Sequence, residues 1–245
     1  MKVFKFLIVF IFLLNCNSEQ GSDCFTKQGK AKTEMIFIET FEEIHIGEGI
    51  ALILEESENQ LIELNYGENF IQNIQFEVLD GILKIENKSS CGVLRNYHAA
   101  EVFIRLPNLK KIYSASQYSV KSKGILRFPH LLLESGIVKE TAASVFELTV
   151  DNASLTVNDN ISSVFKISGK TDFLKVNFWG ANGSLEAGHL EAETVAIFHR
   201  SSNDMIVFPL KKIEGKLMST GNLVLKNVPE IIDIEQIYTG KIIYP

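Results

Sequence analysis

Three aspartates in the second half of the sequence have the residue type and spacing that could support catalysis. Asp151 and Asp172 lie 21 residues apart, with Asp159 between them. Carboxylates stacked on a repetitive β-structure could share a proton, coordinate Ca²⁺ or cleave a polysaccharide. The surrounding sequence repeats at an offset of 19, however, which places these side chains in turns. Turn aspartates usually accept hydrogen bonds from backbone N–H groups, so a structural role is favoured and a lyase or glycosidase is the alternative.

The histidines do not form a recognisable metal-binding or catalytic pattern. None of the five belongs to an HxH or HExxH motif, and the sequence contains no GxSxG, GxGxxG or P-loop motif. His199 and Arg200 lie close to Asp204 and are interpreted as a solvated turn between two strands. The sequence therefore predicts no metal, no cofactor and no enzyme activity.

Phe178 and Trp179 are the best candidates for ligand-binding aromatic residues. Neighbouring residues of a strand point to opposite faces, so one of the two rings should be exposed. An exposed aromatic ring can stack on a sugar and mark a binding surface. The alternative is that Trp179 covers a corner of the fold.

Composition and charge indicate a globular chain without a nucleic-acid surface. Hydrophobic residues make up 46% of the 245 residues and charged residues 22%, which is sufficient for a sizeable core. The formal net charge of −6 excludes a broad basic surface, so we expect no nucleic-acid partner.

The N-terminus has the features of a lipoprotein signal peptide. Lys2 and Lys5 precede an apolar run from Phe6 to Leu14, which is too short to span a bilayer. The last two residues of this run and the two after it, Leu13-Leu14-Asn15-Cys16, resemble a bacterial lipobox. Residues 1–15 are therefore predicted to be a signal peptide, with Cys16 as the site of lipid attachment. A plain secretory signal with an incidental Cys16 is the alternative.

Residues 16–32 are predicted to be a flexible tether because their first part is polar and cannot bury apolar area. Removal of the two lysines of the signal peptide changes the formal net charge from −6 to −8. An acidic protein is not attracted to anionic lipid, so attachment to the membrane must come from acyl chains such as palmitate.

Cys24 and Cys91 remain after cleavage and are predicted to form a disulfide in an oxidising compartment. The bond would connect the start of the domain to a loop 67 residues later. Closing a loop of this size stabilises the fold by roughly 4 kcal/mol in the chain-entropy description. A metal-binding pair and a reactive thiol are the alternatives, although no histidine or further cysteine lies nearby in the sequence.

From residue 33 onwards the hydrophobic pattern has the two-residue period of β-strands. Phe76–Leu79 and Ile82–Glu86 flank Asp80-Gly81, which predicts a hairpin with a tight turn. No segment has a convincing helical period. An all-β fold follows, and a β-sandwich is a candidate for residues 33–120.

The second half repeats about every 20 residues. Ser144–Leu148 is similar to Ser163–Ile167, and Leu155–Val157 is similar to Leu174–Val176, both at an offset of 19. Short strands at a fixed period of this length predict a parallel β-helix, in which each coil is covered only by its neighbours. We therefore expect one domain at 33–245, with sandwich-like strands possible at its N-terminal end.

The sequence resembles the DUF2807 family of bacterial cell-surface proteins, described as auto-transporter adhesin head domains. The resemblance covers most of residues 33–245 and rests on the lipobox-like start and on three segments: Phe41–Ile50, Val102–Ile112, and Thr220–Leu225 followed by Tyr238–Ile242. It implies a right-handed β-helix on a lipid-anchored, exported protein of Bacteroidota type. It implies no catalytic residues.

These observations predict a non-enzymatic, adhesin-like or structural lipoprotein of the cell envelope, anchored in the outer membrane. A glycan or a surface protein is the expected partner. A carbohydrate-active enzyme on a β-helix is the alternative function. The sequence leaves open the ligand, the side of the outer membrane and the oligomeric state.

Overall fold

The computed structural model describes residues 27–89, 98–137 and 144–245. These residues form an all-β solenoid of about six turns, without an α-helix in the described segments. The predicted fold class, a parallel β-helix, is confirmed.

The described residues contain seventeen strands and one short 3₁₀-helix, Ile71–Asn73. The strands are β1 (Ala31–Ile36), β2 (Glu43–Ile46), β3 (Ile50–Glu56), β4 (Leu61–Gly67), β5 (Ile74–Leu79), β6 (Ile82–Asn87), β7 (Ala100–Leu106), β8 (Lys111–Ser114), β9 (Ser119–Leu126), β10 (His130–Ser135), β11 (Val145–Asp159), β12 (Val164–Phe178), β13 (Ser184–His199), β14 (Met205–Leu217), β15 (Leu223–Leu225), β16 (Ile231–Gln236) and β17 (Ile242–Ile243).

The strands stack in two sheets that share the four long strands β11 to β14, so the expectation of short strands in the second half was wrong there. The first sheet runs in the order β1, β4, β7, β3, β9 and then through the first halves of β11 to β14 to β15 and β17. The second runs in the order β5, β6, β2, β8, β10 and then through the second halves of β11 to β14 to β16. One continuous hydrophobic core lies between them.

The repeat seen in the sequence sets the register between neighbouring coils. Strand β11 pairs with β12 in parallel from Val145↔Val164 to Asp159↔Phe178, at a constant offset of 19. Every second side chain of both strands points into the core over most of their length. Phe146 stacks on Phe165 with 4.7 Å between ring centroids, so identical positions of successive coils pack on one another.

Antiparallel strands occur at the N-terminal end of the same two sheets. Strands β5 and β6 form the predicted hairpin, and both Asp80 and Gly81 have positive φ, at 52° and 75°. This conformation is typical of a type I′ turn, whose twist matches that of the flanking strands. Strand β1 begins at Ala31, two residues before the predicted start of the domain, because it pairs with β4.

The predicted signal peptide, Cys16, Cys24 and Cys91 lie outside the described residues. In the segments that the structure describes, no helix has the length and hydrophobicity needed to cross a membrane.

Candidate functional site

A groove of about 750 Å³ lies on the outer face of the first sheet. We call it the outer groove. Its lining includes Ser168 and Ile206, and we call its ionisable residues Glu186, His189 and Lys226 the rim. Strands β12, β13 and β14 supply most of these residues, so the groove crosses several coils of the solenoid.

Irregular pairing of β13 shapes the outer groove. The register shifts between β12 and β13 near Ser168, and again between β13 and β14 after Glu186. A β-bulge leaves extra residues unpaired and bends the strand. Gly188 lies at this bulge, where an added Cβ would be only 3.2 Å from Cγ of Lys226 and 3.3 Å from Cγ2 of Ile206. A larger side chain here would therefore occupy part of the groove.

The charges in the groove differ from those of the neighbouring ladder. Next to the groove, Nζ of Lys121 lies 2.8 Å from Oε2 of Glu147. The hydrogen bond from Lys121 holds the pKa of the Glu147 carboxyl below its usual value. In contrast, the side chains of Glu186, His189 and Lys226 form no ion pair or hydrogen bond with any residue that the structure describes. The groove therefore has ionisable groups of both signs that can contact a polar ligand.

Other polar residues of the groove are held by the fold. Asp204 Oδ1 accepts hydrogen bonds from the backbone N–H and from Nδ2 of Asn222, at 2.9 and 3.0 Å. Ser168 Oγ lies 3.1 Å from Thr149 Oγ1. Among the described residues His189 makes no hydrogen bond to a serine, so the groove contains no assembled pair of nucleophile and base.

The three aspartates of the repeat do not form a stack of carboxylates. Asp151 lies opposite Lys170, and the residue opposite Asn152 is Thr171, so Asp172 is displaced from Asp151 along the strand. Asp151 and Asp172 lie within the long strands β11 and β12, and their expected position in turns was wrong.

Asp159 has the expected capping role in a turn. Its carboxylate accepts hydrogen bonds from the backbone N–H groups of Ile161 and Ser163, at 3.2 and 3.3 Å. The side chain is fully buried, and this burial raises the pKa of Asp159 to about 6.

The structure separates the two candidate aromatic residues. Phe178 is fully buried, with its ring centroid 6.0 Å from that of Phe165, so its assignment as a binding residue was wrong. Trp179 is 40% exposed and lies at the corner after β12, where its backbone N–H donates to the carbonyl of Asp159. Of these two residues, the alternation of side chains therefore leaves Trp179 accessible to a ligand and Phe178 inside.

His199 is the last residue of β13 and is fully buried, so its interpretation as part of a solvated turn was wrong. Its ring packs against Phe178 at 6.1 Å, and neither ring nitrogen has a hydrogen-bond partner among the described residues. Burial lowers the pKa of His199 to about 4. The alternation of Val195, Ile197 and His199 was the signal in the sequence that could have placed this ring inside.

The described residues contain no group of three His, Cys, Asp or Glu side chains placed to hold a metal ion. The fold and the groove thus define a parallel β-solenoid with an open polar groove on one sheet.

The chain belongs to the DUF2807 family, described as "Putative auto-transporter adhesin, head GIN domain", whose family model matches residues 40–229. The resemblance noted in the sequence is thereby confirmed. No curated protein matches the chain.

Solved structures of bacterial proteins have a similar fold. A "putative adhesin" of Bacteroides fragilis is 19% identical, with a TM-score of 0.79 over 88% of this chain and 97% of that chain. A "putative adhesin" of Parabacteroides merdae is 15% identical, with a TM-score of 0.64 over 89% and 97%. A "putative lipid binding protein" of Parabacteroides distasonis is 17% identical, with a TM-score of 0.63 over 89% and 97%. These relatives are named as adhesins or binding proteins and not as enzymes.

Proposed function

We propose that the protein is a non-enzymatic, adhesin-like lipoprotein of the bacterial cell envelope that binds a glycan or a surface protein in the outer groove. The observation that carries this proposal is the set of three unpaired ionisable side chains, Glu186, His189 and Lys226, around one groove. Elsewhere on the same face, charged side chains such as Lys121 and Glu147 neutralise one another across the coils.

The shape of the outer groove suits an extended ligand. It is open to solvent and crosses successive coils, and a solenoid offers long surfaces of this kind. Glu186 can accept hydrogen bonds from hydroxyl or ammonium groups, whereas Lys226 can donate to carboxylate or hydroxyl groups. The exposed ring of Trp179 lies at the corner that leads from β12 towards the groove, where it could stack on a further sugar unit.

Binding to a glycan array and pull-down from surface extracts, both with the mature chain, test the groove. We expect the double variant Glu186→Gln/Lys226→Ala to lose at least tenfold in affinity for any retained ligand. Lys121→Ala is the matched control, because it removes a lysine of the neighbouring ladder outside the groove and should leave affinity unchanged. Equal affinity of the double variant and the wild type would refute binding in the groove.

A lipid ligand and a carbohydrate-active enzyme fit the structure less well. A lipid chain would have to lie beside Glu186 and Lys226, which are costly to desolvate. A carbohydrate-active enzyme would need the paired carboxylates that Asp151 and Asp172 do not provide. A screen of anionic and neutral polysaccharides for cleavage products should therefore be negative.

The membrane anchor is a separate part of the proposal. Acyl chains on Cys16 would hold the acidic domain at the outer membrane, with the polar residues that directly follow Cys16 as the tether. Cys16→Ser should abolish metabolic labelling with a palmitate analogue and move the protein to the soluble fraction. Retention of this variant in the membrane fraction would contradict acylation at Cys16.

The disulfide between Cys24 and Cys91 is also proposed. It would attach the start of the domain to the loop that follows β6, in keeping with an oxidising compartment. Peptide mapping without reduction should recover the two cysteines in one linked pair of peptides. Free thiols at both positions would show that the bond is not formed.

A further inference from the structure

The last two strands leave one end of the solenoid without a covering strand. Strand β16 pairs on one side with β14, and β17 pairs on one side with β15. No other strand in the described part of the chain has a pairing register with β16 or β17. Half of the backbone N–H and C=O groups of an edge strand point away from the sheet, so this edge can accept a further strand.

The inner side of this end is apolar. Ile232, Ile234 and Ile242 point towards the core but are only partly buried. The residue below Ile232 in the stack, Ile213, is fully buried because β16 covers it. A strand added to β16 would bury Ile232 and Ile234 in the same way, at about 25 cal/mol for each Å² of apolar surface removed from water.

The outer side of the same strand carries two carboxylates that follow the exposed Ile231. Asp233 and Glu235 alternate with the isoleucines and are exposed. Glu235 pairs with Lys216 of β14 at 2.9 Å, whereas Asp233 lies opposite Glu214 and forms no ion pair among the described residues. Opposite charges on neighbouring strands stabilise a sheet and like charges destabilise it, so the next strand should carry basic residues at these positions.

We propose that this terminal edge, formed by the outer edge of β16 with Ile232, Asp233, Ile234 and Glu235, binds an extended segment of a partner protein. The segment alternates apolar and basic residues. It adds as a strand to the second sheet, with its apolar side chains over the two isoleucines and its basic side chains beside the two carboxylates. Backbone hydrogen bonds supply affinity in this mode of recognition, and the alternating side chains supply specificity.

A second copy of the chain fits this edge less well than a basic strand. Antiparallel pairing of two β16 strands about Ile234 would place Asp233 opposite Glu235 of the second copy. Pairing about Asp233 would place that carboxylate opposite its own equivalent. Both arrangements bring like charges together across the new ladder, which destabilises the pair.

Fluorescence anisotropy with labelled synthetic peptides tests the proposal on the mature chain. The probe is a peptide of four Val-Lys repeats. The controls are four Val-Glu repeats, which reverse the charge, and four Ser-Lys repeats, which keep the charge but lose the apolar side chains and the strand propensity. We expect the wild type to bind Val-Lys at least tenfold more tightly than either control.

The double variant Asp233→Lys/Glu235→Lys distinguishes strand addition from general attraction of a basic peptide to an acidic protein. It should bind the Val-Glu peptide at least tenfold more tightly than Val-Lys, which reverses the wild-type preference. Asp151→Lys/Asp172→Lys changes the net charge by the same amount at exposed positions of other strands and should keep that preference. Circular dichroism spectra that match the wild type confirm that both variants are folded.

Three results would overturn the proposal. One is equal binding of Val-Lys and Ser-Lys by the wild type, because the isoleucines would then play no part. Another is loss of the preference in the Asp151→Lys/Asp172→Lys control. The third is self-association of the wild type that the Asp233→Lys/Glu235→Lys variant abolishes, which would make a second copy the occupant. None of these results depends on the outer groove. The ligand-binding experiments on the groove can therefore fail or succeed independently of those on the terminal edge.

Discussion

Two edge strands at opposite ends of the solenoid, β1 and β16, have different inner faces. At the N-terminal end, the chain crosses from β4 to β5 over the core, and Phe70 and Ile71 of this crossing are buried. Strand β1 then forms the edge of the first sheet, where Lys32 and Glu34 share the inner face with Leu64 and Tyr66 of β4. The two charged side chains form an ion pair of 2.7 Å over the end of the core.

Strand β16, at the C-terminal edge of the second sheet, has the opposite arrangement, with Ile232 and Ile234 inside and Asp233 and Glu235 outside. Inward charges on an edge strand discourage the addition of further strands, because a new strand would have to bury them. Partly exposed isoleucines favour such addition. The comparison shows that the residues of a single strand can protect one edge of the solenoid, at β1, and leave another edge receptive, at β16.

We expect the largest loss of stability in the stacking of the C-terminal coils from a substitution at Gly215. This residue lies in β14, the last strand that runs through both sheets. Its φ is +129°, and an added Cβ would be 1.9 Å from the carbonyl oxygen of Ile197. We expect Gly215→Ala to lower the free energy of unfolding by about 3 kcal/mol or more, because it combines backbone strain with a backbone clash. Urea denaturation measures this loss.

Gly124→Ala is the matched control in the N-terminal half. Gly124 also has a positive φ, +82°, but an added Cβ would meet no atom within 4 Å. Only the cost of the left-handed conformation remains, about 1 kcal/mol. Similar losses in both variants would show that close stacking of the coils does not dominate at Gly215.

The pH dependence of stability should arise in the C-terminal half, where Asp159 and His199 occupy the inner column that has serines at Ser114 and Ser135 in the N-terminal half. The raised pKa of Asp159, about 6, means that its contribution is lost as pH rises from about 4 to 6. The lowered pKa of His199, about 4, means that its contribution is lost as pH falls from about 6.5 to 4. The two effects oppose each other over the same range.

Single substitutions should separate these opposing effects. Asp159→Asn removes the contribution of Asp159 and keeps that of His199. The free energy of unfolding should therefore fall by ~2–3 kcal/mol when the pH is lowered from 7.5 to 4. His199→Leu removes the contribution of His199 and keeps that of Asp159. The free energy of unfolding should therefore rise by a similar amount when the pH is lowered over the same interval. Urea denaturation at both pH values checks the signs. Parallel pH profiles for the two variants would contradict the assignment.

Removing the inward charges at β1 should make this edge resemble the edge at β16. In Lys32→Val/Glu34→Val, the inner face of β1 becomes apolar while its edge stays open. We expect greater self-association than in the wild type, measured by sedimentation velocity at increasing protein concentration. Thr33→Val changes the outer face of the same strand and should leave the sedimentation profile unchanged. Identical profiles for the double variant and the wild type would argue that inward charge does not protect this edge.

Ion pairs on the two halves should give the smallest effects. Lys111 and Glu134 in the N-terminal half lie 2.6 Å apart and are 22% and 11% exposed, so Lys111→Ala should cost about 1–2 kcal/mol. Lys170 and Glu191 in the C-terminal half lie 3.7 Å apart and are 70% and 49% exposed, so Lys170→Ala should cost less than about 0.5 kcal/mol. Thermal denaturation at low and high salt measures the loss of stability in both variants. An equal loss would show that burial does not decide the strength of these two ion pairs.

The sequence by itself determined the all-β class, the hairpin at Asp80-Gly81 and the 19-residue register between β11 and β12. These features depend on neighbours in the chain. Alternation decides which side chain points inwards, and a repeat of 19 residues places Val145 beside Val164 whatever the rest of the molecule does. The same alternation placed one of Phe178 and Trp179 outside, although the sequence did not say which.

Only the tertiary structure decided where the functional surfaces lie. The outer groove depends on a bulge in β13 whose irregular pairing involves strands on both sides, and no local pattern marks it. Burial of His199 and exposure of Ile232 depend on which coil lies above each residue. In a solenoid every coil is covered by its neighbours, so the difference between a core residue and a binding residue is set by stacking and not by residue type.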